Sequence, residues 1–192
     1  MMKQLHFFSI LFCLIFATNK EIVAQNKHAE AFEQGIVLID LKTSIGAFRN
    51  RNFVSQKTPV FIGADYAINN DLSAGVYGGW YQNTQKDVGS FAVDVNYYYY
   101  GGRFGLHFSD FIRAKTPLNI NPQTVDVYAT LWGGLNSRKD KTLIAGSSNL
   151  KPVTDVGINL GVRFYTKYRI GGVLELGKGP FGFMNIGICY KI

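Results

Sequence analysis

The chain has 192 residues and a formal net charge of +7, with 47% hydrophobic and 15% aromatic residues but only 17% charged. Charge well below the roughly 25% of an ordinary soluble domain, beside so many aromatics, excludes intrinsic disorder and a coiled coil. A mean hydropathy of +0.02 excludes a helical membrane protein, which needs several apolar runs of about 20 residues.

Residues 1–24 read as a secretory signal peptide. Lys3 gives a positive start, Leu5 to Ala17 is an apolar run, and the polar stretch after it ends in the small residue Ala24, where cleavage is expected. The run is too short to span a bilayer as a helix. Cys13 follows bulky Phe12, where a lipoprotein signal would carry a small residue, so lipidation is not expected. Residues 25–192 then form one domain with 18 basic and 12 acidic residues, and with Cys189 as its single cysteine no internal disulfide can form.

Beyond the signal there is no helical period. Short runs of two-residue alternation are broken by Asn, Asp, Gly and Lys clusters, the pattern of strands and turns. The clearest is 155–166, where Val156, Ile158, Leu160, Val162 and Phe164 alternate with Asp155, Gly157, Asn159, Gly161, Arg163 and Tyr165. The same reading places strands near 36–48, 58–68, 72–82, 91–108, 125–135, 155–166, 170–177 and 181–192. These eight approach the ~9–11 residues with which a tilted strand crosses a bilayer. In the fourth the alternation changes phase around Tyr97 to Gly102, and a bulge at the Gly101-Gly102 pair is expected.

The connections alternate in length. Asn69-Asn70-Asp71 and Lys167-Tyr168-Arg169 are tight, whereas 49–57, 83–90 and 136–154 are long and polar. Short turns at one end and long loops at the other are the habit of an outer-membrane barrel, with the short turns in the periplasm. Two connections depart from it: 109–124 is long at the short-turn end, and Lys178-Gly179 is tight at the other.

Alternation alone does not say which face is inside, since a soluble lipocalin-like barrel and a membrane barrel share it with opposite sense. The near absence of charge on the apolar face, the glycines Gly157, Gly161, Gly171 and Gly187 on the polar face, and Tyr66, Trp80, Tyr97, Tyr99, Phe164 and Tyr190 on the apolar face favour the membrane sense, with the aromatics as a girdle. The expected fold is therefore an all-β, eight-stranded antiparallel up-and-down transmembrane β-barrel. Its lumen would hold Asp40, Asp65, Asp126, Asp155 and Glu175 against Lys42, Arg103, Arg163 and Lys191, with His107 beside them. Eight strands leave room only for side chains, so these near-balanced charges are expected to pair, Glu175 with Arg163 or Lys191, rather than to line a pore.

The final row Met184, Ile186, Ile188, Tyr190 and Ile192 resembles the C-terminal signature of outer-membrane barrels, although it ends in Ile rather than the commoner Phe. The stretch GVRFYTKYRIGGVLELGKGPFGFMNIGICYKI, the preceding DVYATLWGGL and the leader ending in AQ are similar to the small outer-membrane β-barrel family of Gram-negative bacteria, the porin-like OmpX/OmpW-like group. The resemblance spans 25–192 and implies an outer-membrane surface or envelope protein without catalytic residues. Its motifs are architectural, and fold does not fix function.

His107-Phe108-Ser109 is similar to the His-x-Ser of lipid A deacylases, whose histidine is oriented by a Glu a short way onward. Here the corresponding positions are Ile120, Asn121 and Pro122, with no carboxylate before Asp126. The pair is expected to lack its third member. Phosphate-loop and metal-site motifs are missing from the sequence, so no metal and no cofactor is expected.

Charge is the functional hint. The long-loop end carries nine bases, among them Arg49, Arg51, Lys57, Arg138, Lys139, Lys141 and Lys151, against Asp87 and Asp140, while the other end is nearly balanced. Such an excess would meet the phosphates of lipopolysaccharide or an acidic external partner. Export separates the chain from nucleic acid. The sequence thus reads as a non-enzymatic outer-membrane protein in contact with lipid, lipopolysaccharide or an external partner. A narrow pore, a lipid A-modifying enzyme and a secreted soluble lipid binder are the alternatives.

Overall fold

The computed structural model describes residues 31–45, 53–86, 92–115, 121, 123–141, 152–166, 169–179 and 182–192. The expected signal peptide lies outside them, as do Arg49, Arg51 and Lys151. The elements are β1 (Val37–Ile45), β2 (Phe53–Gln56), β3 (Val60–Ala67), β4 (Leu72–Lys86), β5 (Ala92–His107), α1 (Ser109–Lys115), β6 (Val125–Lys141), β7 (Val153–Tyr165), β8 (Ile170–Gly177) and β9 (Met184–Lys191).

All pairings are antiparallel, and from β3 with β4 through β8 with β9 they join chain neighbours. β1 pairs with β3 on one edge and with β9 on the other. The sheet closes as eight staves, with β2 an added segment above β3 on the same edge of β4. Turn chemistry agrees with the sequence at 69–71, where Asn69 Oδ1 accepts the backbone N–H groups of Asp71 and Leu72 at 2.8 Å each. Ahead of β1, Gly35 takes φ +89°, a left-handed conformation that glycine adopts without steric cost, and its N–H bonds Ala67 O.

Which face points outward is settled by exposure. Ile62 (56%), Val76 (59%), Leu131 (59%), Ile158 (57%), Leu160 (61%) and Ile188 (59%) stand on the outer wall, while Asp40, Asp65, Arg103, Asp126, Arg163 and Glu175 are buried inside. An apolar exterior around a charged interior is the inverse of a soluble barrel, and it suits hydrocarbon, where a closed ladder satisfies every backbone group. The fold is a transmembrane β-barrel. Tyr66, Phe164 and Tyr190 face out as expected.

Four expectations need correction. β5 pairs with β4 and β6 in continuous register through Gly101 and Gly102, without a bulge. The phase changes because the surroundings do. Near the lipid the outward positions Phe104 and Leu106 are apolar and the inward ones are Arg103 and His107; above it the inward positions Val95, Tyr97 and Tyr99 make a core, and Asp94 and Asn96 take the outer side. Tyr97 and Tyr99 therefore belong to the interior, and Tyr98 (40%) and Tyr100 (48%) are the outward pair. β6 does not end at 135 but runs to Lys141, so Arg138, Lys139 and Lys141 are strand residues rather than part of a 136–154 loop. Above the membrane a strand needs no apolar face, and the register aligns Asp94 with Lys141. Finally, β2 arises within the expected 49–57 loop, covering the upper edge of β4 that would otherwise stay unpaired.

The 109–124 connection opens with α1, one short helix where no helical period is visible. Seven residues are too few for a period to register.

Candidate functional site

The inward parity of each strand assembles the site. Even positions of β1 and β6 and odd positions of β3, β4, β5, β7, β8 and β9 point inside. This brings together four carboxylates, two guanidiniums, one ammonium and one imidazole, all at most 8% exposed.

Arg103 is the hub on one side. Its Nη2 donates to Asp40 Oδ2 at 2.7 Å, its Nη1 to Asp40 Oδ1 at 3.3 Å, and its Nε to Asp65. Arg163 crosses the lumen to Asp126 (2.9 Å) and Asp65 (3.3 Å), with its guanidinium 3.9 Å over the Tyr128 ring. Lys42 Nζ lies 2.6 Å from Glu175 and 3.4 Å from Asp40. Each charge has an opposite neighbour, as burial in a low dielectric requires, and the planar arginines make the multidentate contacts.

The expected pairing of Glu175 with Arg163 or Lys191 is corrected: its ion-pair partner is Lys42. Strand adjacency is a poor guide inside a small barrel, because long side chains cross the lumen. Gly187 of β9, between β8 and β1, has no Cβ to obstruct the Lys42 stem. Glu175 is completed by neutral donors that charge counting overlooks: Tyr128 Oη at 2.7 Å, Asn185 Nδ2 at 3.1 Å and Asn159 Nδ2 at 3.4 Å. Their inward parity was the available signal.

Two expected members stand apart. Asp155 has inward parity but sits at the long-loop mouth, half-exposed, 3.5 Å from Lys178. Lys191 lies at the other end with its Nζ 5.0 Å from the Tyr165 ring.

His107 is not short of an acid. Its Nδ1 is 2.8 Å from Asp126 Oδ1 and its Nε2 is 2.9 Å from Ser73 Oγ. The register sets His107 opposite Tyr128, so Asp126 is two residues along the neighbouring strand although nineteen away in sequence. Ser109 is not the hydroxyl partner; its Oγ accepts the Val127 N–H at 2.6 Å. Ser73, His107 and Asp126 share the geometry of a hydrolytic triad, but Ser73 is 2% exposed and the ring of Phe32 lies flat on His107, centroids 3.4 Å apart. With Ala31, Phe32 packs into the apolar cluster at the short-turn mouth, beside a cavity of about 20 Å³ that His107, Ser109 and Asp126 also line.

Above the ions, Phe61, Tyr77, Tyr99 and Trp132 form an aromatic layer. The space between layers, bounded by Arg103, Thr130 and Asn159 among others, is about 20 Å³, room for roughly one water. Glycines admit the large inward groups: a Cβ at Gly161 would collide with the Tyr128 ring, and one at Gly157 with Trp132. Among the described residues no group of three or more His, Cys, Asp or Glu is arranged to hold a metal ion.

Fold and lumen together define a small transmembrane barrel with a filled, ion-paired interior. No family model matches the chain, and no curated protein matches it. Among solved structures it is similar to a de novo designed transmembrane β-barrel (17% identity, 85% of this chain and 100% of that one, TM-score 0.46). It is also similar to Ail, the attachment invasion locus protein of Yersinia pestis, solved with the heparin analogue sucrose octasulfate (15%, 83% and 99%, 0.47). A third is the N-terminal β-barrel domain of Pseudomonas aeruginosa OprF (14%, 83% and 99%, 0.46). At such identities the similarity is one of fold.

Proposed function

We propose that this chain is a non-enzymatic integral outer-membrane protein whose role is structural or surface-interacting, exerted at its long-loop end. The carrying observation is the filled lumen: among the described residues an apolar wall encloses charges that are paired to one another, which supports a plugged interior rather than a conduit. Function then falls to the rims. Lys57 is exposed there, Arg138, Lys139 and Lys141 come from the top of β6, and Arg49, Arg51 and Lys151 precede or follow nearby strands in sequence. Cations gathered at one end of a barrel would bridge the phosphates of lipopolysaccharide or meet an acidic partner outside the cell.

Membrane fractionation with gel migration of unboiled and boiled protein tests the placement: a heat-modifiable band in the outer-membrane fraction is expected. Replacing Lys139 and Lys141 with Glu should weaken retention of lipopolysaccharide by the purified barrel, with a loss that shrinks as salt rises. A soluble, unshifted protein would overturn the placement, and unchanged retention the role of the cationic rim.

A further inference from the structure

β4, β5 and β6 run 15, 16 and 17 residues, against 8 or 9 in β1, β3, β8 and β9. Their upper parts therefore stand as a wall above the membrane, and the inner face of that wall is aromatic. Tyr81 stacks on Tyr97 with centroids 4.5 Å apart and lies 5.9 Å from Tyr99. Tyr81 and Tyr97 are half-buried and keep part of their surface open.

Two amides flank this stack, and both are incomplete. Asn83, of inward parity and 1% exposed, has no hydrogen-bond partner for either Nδ2 or Oδ1. Asn136 donates from Nδ2 to Tyr99 Oη at 2.7 Å, but its buried Oδ1 accepts nothing. An orphaned buried polar atom carries a desolvation cost, and each such group in a native chain calls for an explanation, of which a partner absent from the structure is one.

The chemistry of that partner follows from the unmet groups. Asn83 needs an acceptor for its N–H and a donor for its oxygen, and Asn136 needs a second donor. A fully ionised carboxylate or sulfate supplies only acceptors and an ammonium or guanidinium only donors, whereas a hydroxyl supplies both. The tyrosine rings between them offer apolar faces with polar edges. Asn83 is aligned with Val95, and Asn136 with Tyr99; four residues along and two strands across separate them by roughly 16 Å, at ~3.3 Å per residue and ~4.8 Å per strand. We infer that the inner wall of the β4–β6 extension is a binding site for a neutral pyranose oligosaccharide, its sugar faces on Tyr81 and Tyr97 and its hydroxyls on Asn83 and Asn136.

This inference rests on the proposed outward orientation of the long-loop end but not on the cationic rim. The test is saturation-transfer NMR on the full mature chain folded in detergent micelles, with maltohexaose and with a neutral hexose core oligosaccharide, freed of the phosphate- and acid-bearing part of lipopolysaccharide, as separate probes. Saturation of at least one is expected, with a tenfold or greater loss in Asn83→Leu and in Tyr97→Ala and no change in Tyr100→Ala on the outer face of the same strand. The heat-modifiable gel shift verifies that each variant is folded. A signal from the core oligosaccharide assigns the glycan of the surrounding membrane, and a signal from maltohexaose alone assigns a soluble one. If neither probe is saturated, or Asn83→Leu binds as wild type, the amides are met by water and the inference falls, while the fractionation result stands or fails independently.

Discussion

Removing Arg103 should be among the most damaging single changes in the lumen. Its guanidinium is bound to Asp40 through two nitrogens and to Asp65 through a third, and it is 8% exposed. Arg103→Met keeps the bulk but leaves Asp40 with Lys42 at 3.4 Å and Asp65 with Arg163 at 3.3 Å, both longer than the 2.7 Å bond that Arg103 Nη2 makes to Asp40. Breaking a buried pair by deleting one partner costs about 3–5 kcal/mol. With a urea dependence of at most about 3 kcal/mol/M, the unfolding midpoint should fall by at least ~1 M. The assay is urea titration of the barrel folded in lipid vesicles, followed by tryptophan fluorescence and by the gel shift. Adding Asp40→Asn should restore part of the stability, because it removes a stranded charge while Lys42 keeps Glu175 at 2.6 Å. Lys178→Ala, which breaks the half-exposed pair with Asp155, is the control and should cost no more than about 1 kcal/mol. If Arg103→Met costs as little as Lys178→Ala, the lumen is not held by its ion pairs and the reasoning fails.

Gly161→Ala should destabilise the barrel by about 1–3 kcal/mol through overpacking against Tyr128, whereas Gly172→Ala, with open space around it, should fall within about 0.5 kcal/mol; the same titration compares them. Ile158→Arg, on the outer wall at 57% exposure, should cost about 2–4 kcal/mol if that position lies near the bilayer midplane, seen as a lower folded yield in vesicles; a yield equal to wild type would place the residue outside the hydrocarbon. Brominated lipid chains should quench Trp80, on the outward parity of β4, in the Trp132→Phe variant, and should spare Trp132, 3% exposed in the lumen, in the Trp80→Phe variant. Equal quenching of both would contradict the inside-out arrangement.

The strands within the apolar band were legible because lipid on one side and a crowded lumen on the other force strict alternation: 170–177 matches β8 residue for residue, and 155–166 misses β7 only at its ends. Legibility stopped where the lipid stops. Above the band the constraint on the outer face disappears, so the polar top of β6 looked like a loop, and the exchange of faces in β5 looked like a slip. The inward charges could be found by parity, but not their partners, since Lys42 reaches Glu175 past an intervening strand. Ser73 could not be tied to His107, nor Asp126 to it, without the register that aligns β4, β5 and β6. Phe32, ahead of β1, belongs to no alternating run and left no pattern to read.

The seam between β1 and β9 bears on how such a molecule comes into being. Most of its neighbours along the chain zip locally, each hairpin extending the one before. This one joint is different, a clasp whose halves are Leu38 to Ile45 and Met184 to Lys191, fastened at its end by reciprocal bonds between Val37 and Ile192. Until it shuts, the curled sheet has two raw margins that hydrocarbon cannot solvate. Contacts so remote in sequence form slowly. Entry into the bilayer and fastening of the clasp must accordingly proceed together, and the interval before they do is when the chain most needs an escort.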